Sequence, residues 1–404
     1  MKIMVWNIEK FTDAKFDDYE YYPTAHLGTK RKRQYNSAFD RKYYMRDVIG
    51  AAGTPGSVPD VIAVIETMAE RNTALGQPMA QLDSAGVLRF LKMIKKQTGN
   101  AGWRAVPPIK CNPPKPALHV GKWAAQEAVA VFYDSTTVTF QGPDYWNGAA
   151  IQRAALGAAA YPLPWNGAAI TGATTRAGRV AHTDNAGAAV LFPNNMNRRP
   201  FMVDFQEIGG AARLFRCLFI HTSPQHGANG THIAGTRNIA QIADMNPAQN
   251  TTGAPNYYIA CGDFNVNDYD PAQRIAAYPP LTALSYKHVL RNTNTDSTHY
   301  RRNHDADPLN APFSYAHHEV IDNFFVRRQP GPQPAITAYT KDSIDCVFGG
   351  PAPWGTVMNQ DLATLNGIVA GPGQPGPTAT FRQWANFWSI IATSDHLPIY
   401  LRIP

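Results

Sequence analysis

Short runs of apolar residues recur along the chain and predict buried β-strands. Most residues in these runs are β-branched or aromatic, and such residues pack well on the pleated surface of a sheet. We expect strands at residues 2–6, 61–65, 128–133, 201–205, 214–220, 257–260, 320–326 and 399–403.

Apolar positions at helical spacing separate some of these strands. Residues 81–97 give the clearest amphipathic pattern, and residues 231–245 and 381–391 give weaker ones. Because strands and helices are mixed along the whole length, we predict an α/β (α+β) fold rather than separate all-α and all-β domains.

Two pairs of strands lie close enough in sequence to form hairpins. We expect residues 129–131 to pair with 138–140, and residues 201–205 to pair with 214–220 across a turn at Gly209 and Gly210. Hairpins in a chain that also has helical connections predict mixed sheets.

Three stretches have the composition of insertions. Residues 142–199 are rich in Ala, Gly, Asn and Pro, residues 279–318 carry clustered His, Asn and Arg, and residues 349–377 are rich in Gly and Pro. The sequence shows no internal repeat and no linker between two apolar cores. We therefore predict one domain, residues 1–404, with these three insertions.

Charge and composition narrow the class of protein. The formal net charge of +7 favours a polyanionic partner, although a soluble protein without one can be equally basic.

No Cys-x-x-Cys pair indicates a zinc site, and Cys217 and Cys261 stand in apolar runs typical of core thiols. Glu9 and Lys10 interrupt any secretory leader, and no apolar stretch predicts a transmembrane helix. We expect a protein that is cytoplasmic, exported without an N-terminal signal peptide, or trimmed of its leader.

Polar side chains able to bind a metal or move a proton stand where several predicted strands begin or end. Such side chains can point into one crevice while their strands stay in the core. Any single one of these residues could be there for a structural reason alone, because Asp and Asn often terminate strands. The residues are Asn7, Glu66, Glu127, His221, Asp263, Asn265, Asp322, Asp395 and His396.

The order of these residues resembles the endonuclease/exonuclease/phosphatase superfamily. The matching segments are Trp6-Asn7-Ile8, Ile65-Glu66, Gly262-Asp263-Phe264-Asn265, Ile321-Asp322-Asn323-Phe324 and Ser394-Asp395-His396-Leu397-Pro398. The resemblance implies two packed mixed β-sheets flanked by helices, a four-layer sandwich, with metal-dependent cleavage of phosphate esters as its activity.

Within that superfamily the chain looks most similar to the pancreatic-type deoxyribonucleases. The similar segments are His221-Thr222-Ser223-Pro224, Glu127 before its strand, and Arg198-Arg199-Pro200-Phe201. The resemblance implies a Mg²⁺-dependent DNA endonuclease of low sequence specificity. The residues that grip the minor groove in that group are not matched next to Glu66 or Glu127, so the sequence does not predict this style of DNA contact.

The resemblance also implies roles for the polar residues. Mg²⁺, with Mn²⁺ or Ca²⁺ as alternatives, would be held by Glu66, supported by Asn7 and Asp395, since hard oxygen ligands suit these ions. Asp263 and Asn265 would position the attacking water, the phosphate or a second ion, and the number of metals stays open.

Proton transfer is assigned to two histidine–carboxylate pairs. His396 with Asp322 would act as the base and His221 with Glu127 as the acid, because a histidine titrates near neutral pH. Asp345 is an alternative partner for His396.

Two adjacent arginines are candidate phosphate ligands, since a guanidinium matches the geometry of a phosphate. Neighbours on a strand face opposite ways, so we expect only one of Arg198 and Arg199 to face the crevice, and the resemblance favours Arg198. The polar cluster at residues 299–307 either lines the cleft or forms a solvated loop.

Other functions remain open at this point. A phosphatase or a lipid phosphodiesterase of the sphingomyelinase or phosphoinositide type would use the same core, and a non-catalytic binding module is a third possibility. The expected partner is nucleic acid, in particular DNA. If the protein is a bacterial nuclease toxin, an inhibitor or immunity protein is a further candidate partner. We expect a monomer.

Overall fold

The structure is a computed structural model. It describes residues 1–16, 45, 49, 58–69, 85–111, 126–146, 151–153, 175–192, 198–222, 230–246, 254–268, 270–290, 298–300, 318–329, 394, 396 and 398–403. Its strands are β1 (Lys2–Phe11), β2 (Val61–Ala69), β3 (Trp103–Val106), β4 (Gln126–Asp134), β5 (Val138–Gly142), β6 (Asp144–Trp146), β7 (Ile151–Arg153), β8 (Thr175–Ala177), β9 (Phe201–Glu207), β10 (Leu214–His221), β11 (Tyr257–Asp263), β12 (Lys287–His288), β13 (His299–Tyr300), β14 (His318–Glu319), β15 (Asp322–Arg328) and β16 (Ile399–Arg402). Its α-helices are α1 (Ala85–Thr98), α2 (Thr231–Asn238), α3 (Pro271–Ala277) and α4 (Pro279–Ala283), and short 3-10 turns cover Asp13–Phe16, Ile239–Gln241 and Ala243–Met245.

Two mixed β-sheets form the body of the structure, as the sequence predicts. The first sheet has the order β16-β1-β2-β4-β3, in which β1 and β2 are parallel and the other neighbours antiparallel. The second has the order β12-β15-β11-β10-β9-β5, in which only β10 and β11 are parallel. Two smaller sheets have the orders β13-β14 and β7-β6-β8.

Apolar side chains fill the space between the two large sheets and cover their outer faces. Tyr133 of the first sheet and Phe205 of the second lie with ring centroids 5.5 Å apart in this interior. On the opposite face of β4, Phe132 packs against Phe90 of α1 at 5.2 Å. The outer face of the second sheet packs against α2, α3 and α4 through a separate apolar cluster that includes Phe325. The predicted four-layer sandwich is confirmed.

One predicted hairpin is wrong. The strands at 129–131 and 138–140 are consecutive, but β4 belongs to the first sheet and β5 pairs with β9 in the second. Asp134 shapes the connecting turn by accepting hydrogen bonds from the backbone amide and hydroxyl of Thr136. The chain thus crosses the interior, where Tyr133 and Phe140 face each other at 6.0 Å instead of lying along one sheet. The second predicted hairpin, β9 with β10, is confirmed, with Gly209 and Gly210 at positive φ.

Other sequence expectations are met in part. The helix predicted at 81–97 is present as α1, and the one at 231–245 is α2 followed by two 3-10 turns. The proposed insertion at 142–199 contains β6, β7 and β8, and Arg179 within it forms a buried ion pair with Asp144 at 2.6 Å. The stretches at 349–377 and 381–391 lie outside the described residues.

The burial of Cys217 and Cys261 agrees with the expectation from their apolar runs. Cys111, Cys217 and Cys261 are buried free thiols, while Cys346 lies outside the described residues. Among the helices that the structure describes, none has the length and apolar character needed to cross a membrane.

Gly262 is required where β10 and β11 approach each other next to Asp263. Its φ is +133°, a conformation that residues with side chains rarely adopt. A Cβ at this position would lie 2.2 Å from the carbonyl oxygen of Ile220 and 2.8 Å from Cδ1 of Ile65. Only glycine therefore lets β11 carry Asp263 to this edge of the sheet.

We expect Gly262→Ala to lower the free energy of unfolding by about 3 kcal/mol or more, because the backbone conformation and the buried clash both oppose a methyl group. Gly210→Ala is the matched control, since its φ is +55° but the space around an added Cβ is open. That control should cost about 1 kcal/mol. Urea unfolding of both variants measures the difference, and equal costs would contradict the steric explanation.

Candidate active site

Three polar residues form a row across one end of the second sheet. His221 of β10 stands opposite Asp263 of β11, and Asp263 stands opposite Asp322 of β15. Residues directly opposite each other point to the same face of a sheet, so the three side chains are neighbours. All three are buried. Strand register alone therefore places two carboxylates and an imidazole side by side.

The first sheet adds Asn7 and Glu66 to the same place. Asn7 stands opposite Ile65 in the parallel β1–β2 pair, and Glu66 follows where the register of β2 against β4 shifts. Glu66 has a φ of +59°, a left-handed conformation that is costly for a residue with a side chain. Irregularities of this kind turn a side chain out of its regular direction. Here the Glu66 carboxylate comes 3.4 Å from Nδ2 of Asn7.

The segment before β16 is fastened to β1. The Ser394 hydroxyl donates to the carbonyl oxygen of Asn7 and accepts a hydrogen bond from the backbone amide of His396 at 3.0 Å. The Trp6 indole donates to the carbonyl oxygen of His396 at 2.9 Å. These contacts hold the backbone of His396 against β1. Asp395, an expected metal ligand, lies outside the described residues.

The Asn7 side chain lies at the centre of the cluster. Its Nδ2 is 3.1 Å from Oδ2 of Asp263 and 3.4 Å from both Oε1 of Glu66 and Nε2 of His396. Its Oδ1 is buried and has no hydrogen-bond partner within the described part of the chain. The nitrogen of this amide, and not Oδ1, faces the two carboxylates. Oδ1 is an open oxygen acceptor in the same side chain, and hard cations prefer oxygen ligands. The residues present therefore fit a Mg²⁺ or Ca²⁺ ion held by Glu66, Asn7 and Asp263.

A second grouping with metal-ligand chemistry shares one of these residues. Asp263, Asp322 and His396 each offer a ligand atom, and these atoms lie within 4.8 Å of one another. Asp263 thus belongs to both groupings. The geometry is compatible with one ion or with two.

His396 and Asp322 form the first histidine–carboxylate pair, with Nδ1 2.8 Å from Oδ2. Burial raises the pKa of Asp322, the neighbouring His396 opposes this rise, and Asp263 adds to it. A proton on Nδ1 of His396 satisfies the buried carboxylate, and it leaves Nε2 as an acceptor facing Asn7 and Asp263. The alternative partner, Asp345, lies outside the described residues.

His221 and Glu127 form the second pair, with Nδ1 2.9 Å from Oε2. The other side of this imidazole faces Glu66 and Asp263, whose oxygens are 3.3 and 3.5 Å from Nε2. Burial alone would raise the pKa of Glu127, but Arg198 and His221 together lower it to about 2. Glu127 is therefore a permanent anion at neutral pH.

Arg198 is built into this second pair. It donates to Oε1 of Glu127 at 2.6 Å, to Nε2 of His221 at 2.8 Å and to the carbonyl oxygen of Thr222 at 2.8 Å. The sequence suggested a phosphate ligand, whereas the structure shows a guanidinium that already holds the Glu127–His221 pair. Arg199 is half-buried, and its backbone amide donates a hydrogen bond to the carbonyl oxygen of Cys111. Its side chain makes no hydrogen bond or ion pair within the described part of the chain.

Asn265 supports the loop after β11. Its backbone amide donates to Oδ1 of Asp263 at 2.8 Å, and its Nδ2 donates to the carbonyl oxygen of Thr222 at 3.0 Å. Its φ of +51° is one that asparagine tolerates better than most residues. Asn265 therefore fixes the orientation of the Asp263 carboxylate.

Two neighbouring residues complete the described surroundings. The ring of His299, from the polar cluster at 299–307, lies 4.6 Å from the ring of His396. Thr298 is fully buried, and its Oγ1 accepts from the backbone amide of Asp322 at 3.0 Å. Sequence reasoning missed Thr298, because nothing in its local sequence distinguishes it from other polar loop residues.

No protein-family model matches the chain, and no curated protein matches it. Several solved structures are weakly similar. An endonuclease/exonuclease/phosphatase family protein from Leptotrichia buccalis gives a TM-score of 0.44 at 13% identity, covering 100% of this chain and 99% of that one. D. rerio TDP2 complexed with a single strand DNA product gives 0.44 at 10%, covering 99% and 97%. A Bacteroides thetaiotaomicron mannosyl-6-phosphatase gives 0.40 at 12%, covering 100% and 98%. Similarity this weak does not assign a function to the chain.

Glu127→Gln should destabilise the protein at neutral pH, because it leaves the buried guanidinium of Arg198 without its counter-charge. The pKa of Glu127 is lower in the folded protein than in an unfolded chain. Its stabilising contribution is therefore complete above about pH 5 and is lost as the pH falls toward 2. Urea unfolding at about pH 7 and about pH 3 should show a smaller difference between wild type and variant at the lower pH.

Asp13→Asn is the control for this measurement. Asp13 pairs with Arg89 at 3.0 Å, and the Arg89 and Asp13 side chains are 36% and 42% exposed, so the variant should cost less than about 1 kcal/mol. A loss in Glu127→Gln that does not change with pH would contradict the charge-based explanation.

Proposed function

We propose that the protein is a metal-dependent phosphodiesterase of the endonuclease/exonuclease/phosphatase type, and that its substrate is DNA, cut with little sequence preference. One observation carries the proposal. Two histidine–carboxylate pairs converge on a single oxygen-rich point, and Nε2 of His221 and of His396 lie 3.5 and 3.8 Å from the same Asp263 oxygen. Two proton carriers at one cation-binding point suit hydrolysis of a phosphate ester.

Glu66, Asn7 and Asp263 would hold Mg²⁺, with Asp395 added on the evidence of sequence alone. The ion, when bound, neutralises charge on the phosphate and on the leaving oxygen. The Asn7 amide and the left-handed backbone at Glu66 fix these ligands before any substrate arrives.

His396 is assigned as the base. Its Nδ1 proton is held by Asp322, so Nε2 can accept a proton from the attacking water. The Asp322 carboxylate then stabilises the imidazolium that forms. Asp263 and Asn265 would hold the water or the phosphate, since the Asn265 amide already fixes one Asp263 oxygen.

His221 is assigned as the acid that protonates the leaving oxygen. This role needs a proton on Nε2, which the carboxylates of Glu66 and Asp263 favour and the donor Arg198 opposes. Arg198 would therefore have to release Nε2 during turnover. A phosphate is a suitable new ligand for it, because a guanidinium binds phosphate with paired hydrogen bonds. In this way Arg198 could still take part in binding phosphate.

A phosphatase or lipid phosphodiesterase is the second candidate, and one observation favours it. The residue two after Glu66 is Met68 and not a basic residue, so the groove contact of the pancreatic-type deoxyribonucleases is missing at this position. The net charge of +7 favours a polyanion such as DNA instead. The core chemistry is the same in both cases.

The wild-type protein should nick supercoiled plasmid in the presence of Mg²⁺, stop when EDTA is added, and recover when Mg²⁺ is restored. Asp263→Asn and His396→Ala should each lower the rate by about 100-fold or more while keeping the far-UV spectrum of the folded protein. Gel densitometry of open-circular DNA measures this. Full nicking by either variant would overturn the proposed roles.

Asp270→Asn is the matched control, because it makes the same carboxylate-to-amide change outside the site. Asp270 caps α3 by accepting from the backbone amides of Ala272 and Gln273, and asparagine caps a helix equally well. This variant should nick plasmid at the wild-type rate.

The substrate class is tested with the same preparations. Plasmid DNA, RNA, sphingomyelin vesicles and phosphoinositides are each incubated with wild type and His396→Ala. EDTA-sensitive turnover of a lipid without cleavage of DNA or RNA would replace the nuclease by the second candidate. EDTA-insensitive binding without any turnover would exclude an enzyme. Toxicity on expression that disappears in His396→Ala would support a toxin role.

A further inference from the structure

The strap, residues 178–192, lies against the start of β9. Arg179 and Met202 exchange two backbone hydrogen bonds, of 2.9 and 2.8 Å. A Cβ on Gly178 would lie 2.3 Å from the ring of Phe201 and 2.8 Å from the carbonyl oxygen of Met202. The strap therefore approaches β9 as closely as a glycine allows.

Buried ion pairs fasten the strap to the second sheet. The Arg179 guanidinium contacts both oxygens of Asp144, at 2.6 and 2.9 Å, and also binds Asp244. Arg216 of β10 pairs with Asp204 of β9 at 2.7 Å and lies 3.5 Å from the same Asp244. Displacing the strap would leave buried charges without their partners, which is costly. The strap is thus a fixed part of the fold.

His182 is the residue of the strap that contacts the chain next to Arg198. It is buried, its Nε2 is 2.8 Å from the carbonyl oxygen of Pro200, and its Nδ1 has no hydrogen-bond partner within the described part of the chain. Burial lowers the pKa of His182 to about 4, although the bond to Pro200 opposes this, so the imidazole is neutral at neutral pH. A neutral imidazole carries one proton, and a carbonyl oxygen can only accept. The proton of His182 is therefore on Nε2 and is donated to Pro200.

Pro200 ends a short stretch that begins at Arg198 and is held from two sides. Between these two residues, the backbone amide of Arg199 donates to the carbonyl oxygen of Cys111 at 2.9 Å. The strap holds the Pro200 carbonyl from the other side. The Arg198 guanidinium extends from this stretch to the second histidine–carboxylate pair, with hydrogen bonds of 2.6 and 2.8 Å.

We propose that His182 is a positioning residue, whose hydrogen bond to Pro200 fixes the backbone that carries Arg198. Arg198 in turn holds Glu127 and His221, the pair assigned to protonating the leaving oxygen. Without the bond from the strap, the guanidinium would hold this pair less firmly, and the imidazole would face the leaving oxygen less often. The effect on activity rests on the proposed function.

His182→Phe keeps an aromatic ring and removes the donor, whereas His182→Gln places an amide N–H near the position of Nε2. We expect His182→Phe to lower kcat for plasmid nicking by about tenfold, with KM within about twofold of wild type. His182→Gln should restore most of the loss.

Tyr286→Phe is the matched control, because it also removes a buried hydrogen bond from a side chain to a backbone carbonyl and keeps the ring. The Tyr286 hydroxyl donates to the carbonyl oxygen of Met245 at 2.6 Å, within the apolar cluster outside the second sheet. This variant should nick plasmid at the wild-type rate, even if urea unfolding shows that it loses as much stability as His182→Phe.

A second readout does not need turnover. The guanidinium protons of Arg198, followed by NMR in the metal-free protein, should exchange with water faster in His182→Phe than in wild type. They should exchange at close to the wild-type rate in His182→Gln and Tyr286→Phe. If wild type cuts none of the tested phosphodiesters while this pattern appears, the proposed function fails and the positioning role stands.

Three results would overturn the positioning role. They are unchanged proton exchange at Arg198 in His182→Phe, an equal loss of kcat in His182→Gln, and an equal loss of kcat in Tyr286→Phe.

If His182→Phe does not fold, Phe192→Leu carries the test. The Phe192 ring packs edge-on against the ring of His182, with centroids 6.2 Å apart, so its removal loosens the imidazole while donor and acceptor both remain. The guanidinium protons of Arg198 should exchange faster in this variant as well, and an unchanged rate would contradict the proposal.

Discussion

The buried amide of Asn7 is the contact on which the site depends, because it joins the two sheets at their shared edge. Its nitrogen lies 3.4 Å from Glu66 in its own sheet and 3.1 Å from Asp263 in the other. Its backbone carbonyl accepts from Ser394, which also binds the amide of His396. A small shift of one sheet relative to the other would separate the proposed metal ligands from the histidines that carry protons. The geometry of the site therefore depends on the packed interior between the sheets.

The same edge collects the site residues because each sheet contains one parallel pair of strands. β10 and β11 end in His221 and Asp263, whereas Asn7 and Glu66 lie inside β1 and β2, at irregularities in their pairing. The antiparallel strands β4 and β15 begin at that edge and bring Glu127 and Asp322. Local rules are broken there at a cost in stability, with a left-handed Glu66 and buried carboxylates. Ordinary apolar packing elsewhere has to offset this cost.

Much of the fold could be predicted because apolar periodicity reports directly on strands and helices. The strand at 257–260 and the helix at 81–97 are examples, present as β11 and α1. Periodicity did not show that β4 and β5 lie in different sheets. A short turn between two apolar strands fits a hairpin and a crossover equally well, and only the packing of Tyr133 against Phe140 and Phe205 selects the crossover.

For the site, the sequence by itself determined which side chains have the right chemistry, since motifs such as Gly262-Asp263-Phe264-Asn265 carry carboxylate, amide and the glycine that the close approach of strands requires. Only the tertiary structure decided which of these side chains contact each other. It placed Arg198 on Glu127 and His221, and it brought Thr298 to Asp322. Those contacts join residues far apart in sequence, and their geometry depends on how two sheets pack, which no local pattern of residues encodes.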